Sequence, residues 1–190
     1  MSFKPGIIYI VPMGPFDLSD LGKIAENIEK QFEVEAIIFE NQGLPHYALD
    51  AVRHQYNSNL ILKNLLEVCP PRVLKVLGIT VVDLFNPIFS FVFGEAQFGG
   101  KCAVISNFRL QTLSDGQVQP GCPSLVDRME KEAVHELGHT FGIGHCSDPA
   151  CVMSFSKKLE RADAKLAVMC PACRNLLSWY MEHGPVPTLA

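Results

Sequence analysis

Residues 135–145 read His135-Glu136-Leu137-Gly138-His139-Thr140-Phe141-Gly142-Ile143-Gly144-His145, and this stretch decides both the fold and the chemistry. His135 and His139 are four apart, so on a helix both imidazoles project from one face, one turn apart. That spacing lets two ring nitrogens hold one zinc ion at about 2.0–2.1 Å. Glu136 lies beside His135 and can reach a zinc-activated water without ligating the metal, as a general base must. Gly142 can take a positive φ and end the helix in a left-handed cap. The chain then swings His145 back as a third ligand. Three histidines leave a fourth position open for water, which a catalytic zinc requires and a closed structural site forbids. The alternative reading, an amphipathic helix with solvated polar residues and a glycine cap, accounts for no histidine spacing.

Working outward, Ser124 and Asp127 form a capping box that opens this helix. Val126, Met129, Ala133, Leu137 and Phe141 give it one buried stripe. Upstream, Gly6–Val11 reads as a strand closed by Pro12, Gly14 and Pro15. Leu18 to Phe32 recurs at helical spacing behind a cap at Asp17 or Ser19, and Val34–Phe39 is a second strand. A helix starting at Asn57 or Ser58 and ending at Pro70 precedes a third strand, Val73–Val82. Phe89–Phe98 and Cys102–Ser106 read as a hairpin across Gly99-Gly100-Lys101. This order predicts a mixed sheet, parallel at the crossovers and antiparallel at the hairpin. Residues 110–121 read as a polar loop and Gly142–Cys173 as irregular. A last helix, Ala172–Met181, carries Leu176, Leu177 and Tyr180 on its apolar face. Residues 1–190 then form one domain, with an upper part over 1–142 and a lower part over 143–190.

Immediately after His145 comes a second set of ligands. Cys146 and Cys151 have four residues between them, and Cys170 and Cys173 have two. Paired knuckles of this kind read as a closed four-cysteine zinc site. The lower part is short and apolar-poor, and a segment of that size usually needs a metal or a crosslink. Adjacent His145 and Cys146 cannot readily serve one metal, so two zinc ions per chain are expected, one catalytic and one structural. Free thiols, a disulfide or a redox pair at Cys170 and Cys173 are the alternatives.

Composition narrows the class. The chain has 190 residues, 48% hydrophobic and 19% charged, which suits a packed core rather than disorder. No stretch approaches the ~20 apolar residues of a membrane span. The apolar run Ile7–Val11 is too short for a secretory signal. A net charge of −4 offers no general attraction for nucleic acid or anionic membrane. Seven cysteines, an odd number, fit a reducing, cytoplasmic setting with metal ligation better than a disulfide framework.

Together, His135, Glu136, His139, Gly142 and His145, with Cys146, Cys151, Met153, Cys170 and Cys173, resemble the pattern of the archaemetzincins, a family within the metzincin zinc peptidases. The motifs span roughly residues 130–175. The resemblance implies a metzincin-like α+β fold, a mixed five-stranded sheet with backing helices above the cleft and a small lower subdomain; because the sequence opens on the first strand, no prodomain is expected. It implies zinc-dependent hydrolysis of a peptide or protein, with Glu136 as general base and Met153 as the Met-turn floor beneath the catalytic zinc. Taken alone, Met153 fits plain core packing equally well. Strand Phe89–Phe98 is expected to flank the cleft as an edge to which an extended peptide adds. Strand alternation is expected to turn Phe89, Phe91, Phe93 and Phe98 into the core. His46, His54 and His183 lack ligand spacing and read as surface residues. Cys69, Cys102 and Cys122 read as buried small hydrophobes, and Trp179 and Tyr180 as packing for the last helix. Two other functions stay open: a non-catalytic zinc-stabilised peptide-binding module, which would need no Glu136, and an amidase on a non-peptide substrate. Endopeptidase against aminopeptidase and the oligomeric state are undecided at this level.

Overall fold

The computed structural model describes residues 6–70, 72–111 and 123–184. In chain order the elements are β1 (Ile7–Met13), α1 (Leu18–Phe32), β2 (Glu35–Ile38), a 3-10 turn (His46–Ala48), β3 (Leu49–Asp50), β4 (Gln55–Asn57), α2 (Ser58–Val68), β5 (Lys75–Thr80), β6 (Leu84–Phe85), β7 (Gly94–Ala96), β8 (Cys102–Ser106), α3 (Leu125–Thr140), α4 (Leu159–Ala164) and α5 (Pro171–His183). The main sheet runs β2-β1-β5-β8-β7. Its first four strands are parallel and β7 is an antiparallel edge. This is the mixed five-stranded sheet that the resemblance implied.

Alternation along the central strands builds two cores. Ile8 and Ile10 of β1, Leu77 and Ile79 of β5, and Ala103 and Ile105 of β8 face α1 and α3. Val11, Val76, Cys102 and Val104 face α2 on the other side. Strands covered on both faces read as continuous apolar runs, which is why the pattern looked unbroken in sequence. Asp17 caps α1 and Asn57 caps α2, each through its side chain.

Several expectations change. The strand expected over Phe89–Phe98 shrinks to Gly94–Ala96. Asn86 Oδ1 accepts from the Ile88 and Phe89 amides at 3.0 and 2.8 Å, so residues 86–89 turn instead of extending. The phenylalanines accordingly do not share one buried face. Phe93 is buried and Phe91 half-buried beneath the Arg109 guanidinium, while Phe89 and Phe98 are exposed. The segment 142–173 is not wholly irregular, because it contains α4. Arg128 of α3, 3% exposed, grips Asp163 of α4 with two bonds of 2.6 and 2.8 Å. Lys131 Nζ donates to the Ala162 and Asp163 carbonyls at the end of α4, a cation placed where a helix dipole favours one. A small second sheet, β3-β4-β6, was not foreseen. Leu176 and Trp179 are exposed, the latter stacked on His183, so that of the expected apolar face Leu177 and part of Tyr180 pack inward, beside Cys173. Cys102 is buried, Cys69 is half-buried, and Cys122 and most of the 110–121 loop lie outside the described residues. His46, His54 and His183 are exposed. Among the described residues no helix is long and apolar enough to cross a membrane.

Candidate active site

The helix α3 carries the site, and both its ends are set by local chemistry. Ser124 Oγ accepts from the Asp127 amide at 3.2 Å, and Asp127 Oδ2 accepts from the Ser124 amide at 2.7 Å. This is the reciprocal capping box read from the sequence. At the far end Gly142 has φ +90°, its amide donates to His139 O, and the Ile143 amide donates to Gly138 O. That 6→1 and 5→2 pair is a Schellman motif, which turns the chain back sharply enough to return His145.

One ring nitrogen from each of His135, His139 and His145 falls within 4.8 Å of the others. His135 Nδ1 donates to the Val152 carbonyl and His139 Nδ1 to the Ile143 carbonyl, both at 2.8 Å. A carbonyl only accepts, so in the neutral rings both Nε2 atoms carry lone pairs, and those atoms face each other at 3.2 Å. Two lone pairs at that separation repel unless a cation lies between them. Tetrahedral zinc at about 2.05 Å from each nitrogen sets them about 3.3 Å apart, so the pair fits zinc. Burial and the neighbouring imidazoles hold the His135 pKa well below the usual value, and burial lowers His139 and His145. All three are thereby kept in the neutral form that ligates.

Glu136 is 7% exposed and lies in the same cavity, about 400 Å³, as the three histidines. Burial, then Glu132 and Glu95, push its pKa well above the usual carboxylate range, a common condition of a group that handles protons. Gly94 on the edge strand makes room for it: a Cβ there would sit 2.6 Å from Glu136 Cγ. Opposite, Met153 is fully buried against the helix, and a Cβ on Gly138 would meet its Sδ at 2.5 Å. Phe89, Phe91, Phe93 and Phe155 supply apolar walls; the first three were expected in the core.

The second cluster gathers Cys146, Cys151, Cys170 and Cys173, again with ligand atoms within 4.8 Å. The Cys146 and Cys170 sulfurs are 3.8 Å apart, far beyond a disulfide bond. Tetrahedral zinc at about 2.3 Å from each sulfur gives a separation of about 3.8 Å. Backbone amides of Asp148 and Cys170 donate to the Cys146 and Cys151 sulfurs at 3.4 and 3.3 Å, bonds that favour thiolates. The set therefore fits a zinc ion as well.

Gly94, Gly138, Glu132, Lys165 and Phe155 belong to the site and were missed in sequence. Only Gly138 carried a signal there, a glycine inside a helix where alanine is preferred.

The model of Peptidase family M54 matches residues 27–178. An archaemetzincin of Haloquadratum walsbyi is 36% identical over 173 residues, 90% of this chain and 99% of that protein. The crystal structure of archaemetzincin from Methanopyrus kandleri superposes with a TM-score of 0.80 at 34% identity, covering 93% of this chain and 96% of that one. A zinc-dependent peptidase from Methanocorpusculum labreanum gives 0.73 at 27% identity, covering 90% and 99%. The family match extends over four-fifths of the chain, a span that includes α3 and all four clustered cysteines, and the chain belongs to Peptidase family M54, the archaemetzincins, a family of zinc metallopeptidases.

Proposed function

We propose that the chain hydrolyses peptide bonds, with a zinc ion held by His135, His139 and His145 and Glu136 as general base. The observation that carries this is the convergence of three neutral imidazole nitrogens and one buried carboxylate in a single cavity. When bound, zinc supplies Lewis acidity and brings the pKa of water toward neutrality. The Glu136 carboxylate takes the proton of the attacking water and passes it to the leaving amine nitrogen. Its raised pKa suits it to hold that proton between the two transfers. An extended peptide lies along the open side of β7, which among the described residues pairs only with β8. Backbone hydrogen bonds to that edge hold the substrate in register. Met153 forms the apolar floor under His135 and His139.

Cys146, Cys151, Cys170 and Cys173 hold a second, structural zinc that ties the 143–184 segment to the turn bearing His145. Cysteines kept reduced for a metal accord with a reducing, cytoplasmic setting. Metal analysis should find two zinc ions per chain. Glu136→Gln should bind both and lose cleavage of a peptide mixture read by mass spectrometry. Unchanged turnover in that variant would remove Glu136 from the mechanism.

A further inference from the structure

One wall of the cleft has no part in the hydrolysis described above. Glu132 stands one turn before Glu136 on the same face of α3 and is 4% exposed. Lys165, just after α4, is 3% exposed. Both line the cavity that holds the three histidines, as does Ser156. Their protein partners are few. Lys165 has three N–H donors, and one reaches the Val152 carbonyl at 3.3 Å. Glu132 accepts no hydrogen bond from the described residues, and the buried Ser156 Oγ has no partner among them. Glu132 and Lys165 are each other's strongest charged neighbour. Yet among the described residues no ion pair within 4.0 Å joins them. Buried opposite charges are ordinarily in direct contact, because the cost of removing them from water is otherwise unreturned. Here a donor and an acceptor face one cavity across a gap.

We infer that Glu132 and Lys165 together recognise a carboxamide, the side chain of a substrate Gln or Asn adjoining the scissile bond; this rests on the peptidase reading. A carboxamide presents an acceptor and a donor on one carbon. Its oxygen accepts from Lys165 Nζ, and its NH2 donates to the Glu132 carboxylate. It adds no net charge to a pair whose own charges balance. A carboxylate satisfies Lys165 but repels Glu132, and an ammonium does the reverse. An apolar side chain of the same length leaves both charged groups without their bonds. Phe91 and Phe93 supply apolar surface for the methylene stem.

The test uses the zinc-loaded protein and a series of peptide hydroxamates that differ only in the side chain beside the chelating group: Gln, Glu, Lys or Met. Affinity is read by calorimetry, which needs no turnover, while cleavage of a peptide mixture tests the peptidase reading separately. The Gln compound should bind about tenfold to a hundredfold more tightly than the Met compound, the range expected of one or two charge-assisted hydrogen bonds. Glu132→Gln, which keeps the side-chain shape, should move the preference toward the Glu compound. Lys165→Met should reduce the advantage of Gln over Met by about tenfold, leaving only the bond to Glu132. Equal affinity for the Gln and Met compounds in the unaltered protein would overturn the inference. So would a Gln preference that is undiminished in both variants.

Discussion

Gly138 is where a single methyl group tests the packing beneath the histidines. A Cβ at this position would lie 2.5 Å from Met153 Sδ, 2.8 Å from Met153 Cε and 3.5 Å from Met169 Cε. Non-bonded heavy atoms rest at about 3.5–4.0 Å, so the first two contacts overlap by about 1 Å. Met153 is fully buried and cannot yield into solvent. Overpacking of this kind costs about 1–3 kcal/mol, and a double overlap against a confined side chain belongs at the upper end. Alanine recovers about 1 kcal/mol of helix propensity, so Gly138→Ala should lose about 2 kcal/mol net. Gly22 in α1 is the control, because nothing lies within 4 Å of its Cβ position. Gly22→Ala should therefore gain the full propensity term, about 1 kcal/mol. Urea unfolding at fixed free zinc reads the difference of about 3 kcal/mol. With an m-value of about 2 kcal/mol/M this is a midpoint separation of about 1.5 M. In a Met153→Ala background the collision is gone, and Gly138→Ala should become neutral or stabilising, a coupling that a double-mutant cycle isolates. If Gly138→Ala and Gly22→Ala have the same midpoint, the close packing of Met153 under the ligand helix is refuted.

Three further outcomes follow from the same contacts. Gly94→Ala would drive a Cβ into Glu136, and a displacement of about 1 Å at the base should lower kcat about a hundredfold with zinc content unchanged; an unaltered kcat would show that Glu136 is not confined there. Cys151→Ser should cost the second zinc and lower the thermal midpoint by about 10 °C or more, whereas a neutral effect would mean that the cluster holds no metal. In the metal-stripped protein, the depressed pKa values of His135, His139 and His145 keep the folded state neutral while the unfolded chain takes up protons near 6.5. At these three sites the unfolded state then binds more protons, so the stability they contribute above pH 6.5 is lost as pH falls below it; the raised pKa values of Glu132 and Glu136 act in the opposite direction, so the midpoint is followed in the Glu132→Gln/Glu136→Gln variant, where a flat profile between pH 5 and 7 would contradict the burial of the three rings.

What could be read from the sequence was what helical periodicity and short turns encode. The His135–His139 spacing, the Ser124–Asp127 box and Gly142 are local, and each is found in the structure as the spacing implies. The cysteine pairs are local twice over, and only their meeting is a tertiary fact. Glu132 and Lys165 come together through the Arg128–Asp163 grip that docks α4 on α3, a contact 35 residues long in sequence. No periodicity announces it. The shortening of Phe89–Phe98 has the opposite origin: its alternating phenylalanines suit a strand, but the Asn86 side chain takes up the Phe89 amide at its start together with the preceding Ile88 amide and folds the entry into a turn. The strands of the small sheet, two or three residues each, rest on pairing and on contacts such as Gln55 Nε2 to Asp83 rather than on propensity.

Lys75 shows how such non-local contacts set the width of the cleft. It is the one charged residue of the fully buried strand β5. Its Nζ donates at 2.6 Å both to Thr140 O, at the end of the ligand helix, and to Gly100 O, in the turn that follows the edge strand. The Phe141 ring lies 4.5 Å from the same ammonium, and the Gly99 amide donates to His139 O at 2.9 Å. One buried cation thus ties the helix that carries His135 and His139 to the strand along which the peptide is proposed to lie. Sliding β7 and its turn away from His139 would break the charge-assisted Lys75–Gly100 bond and the Gly99–His139 backbone bond, leaving the buried ammonium with one acceptor fewer, a penalty of about 2–4 kcal/mol. The distance between the metal-binding face and the substrate edge is therefore fixed by a residue that touches neither.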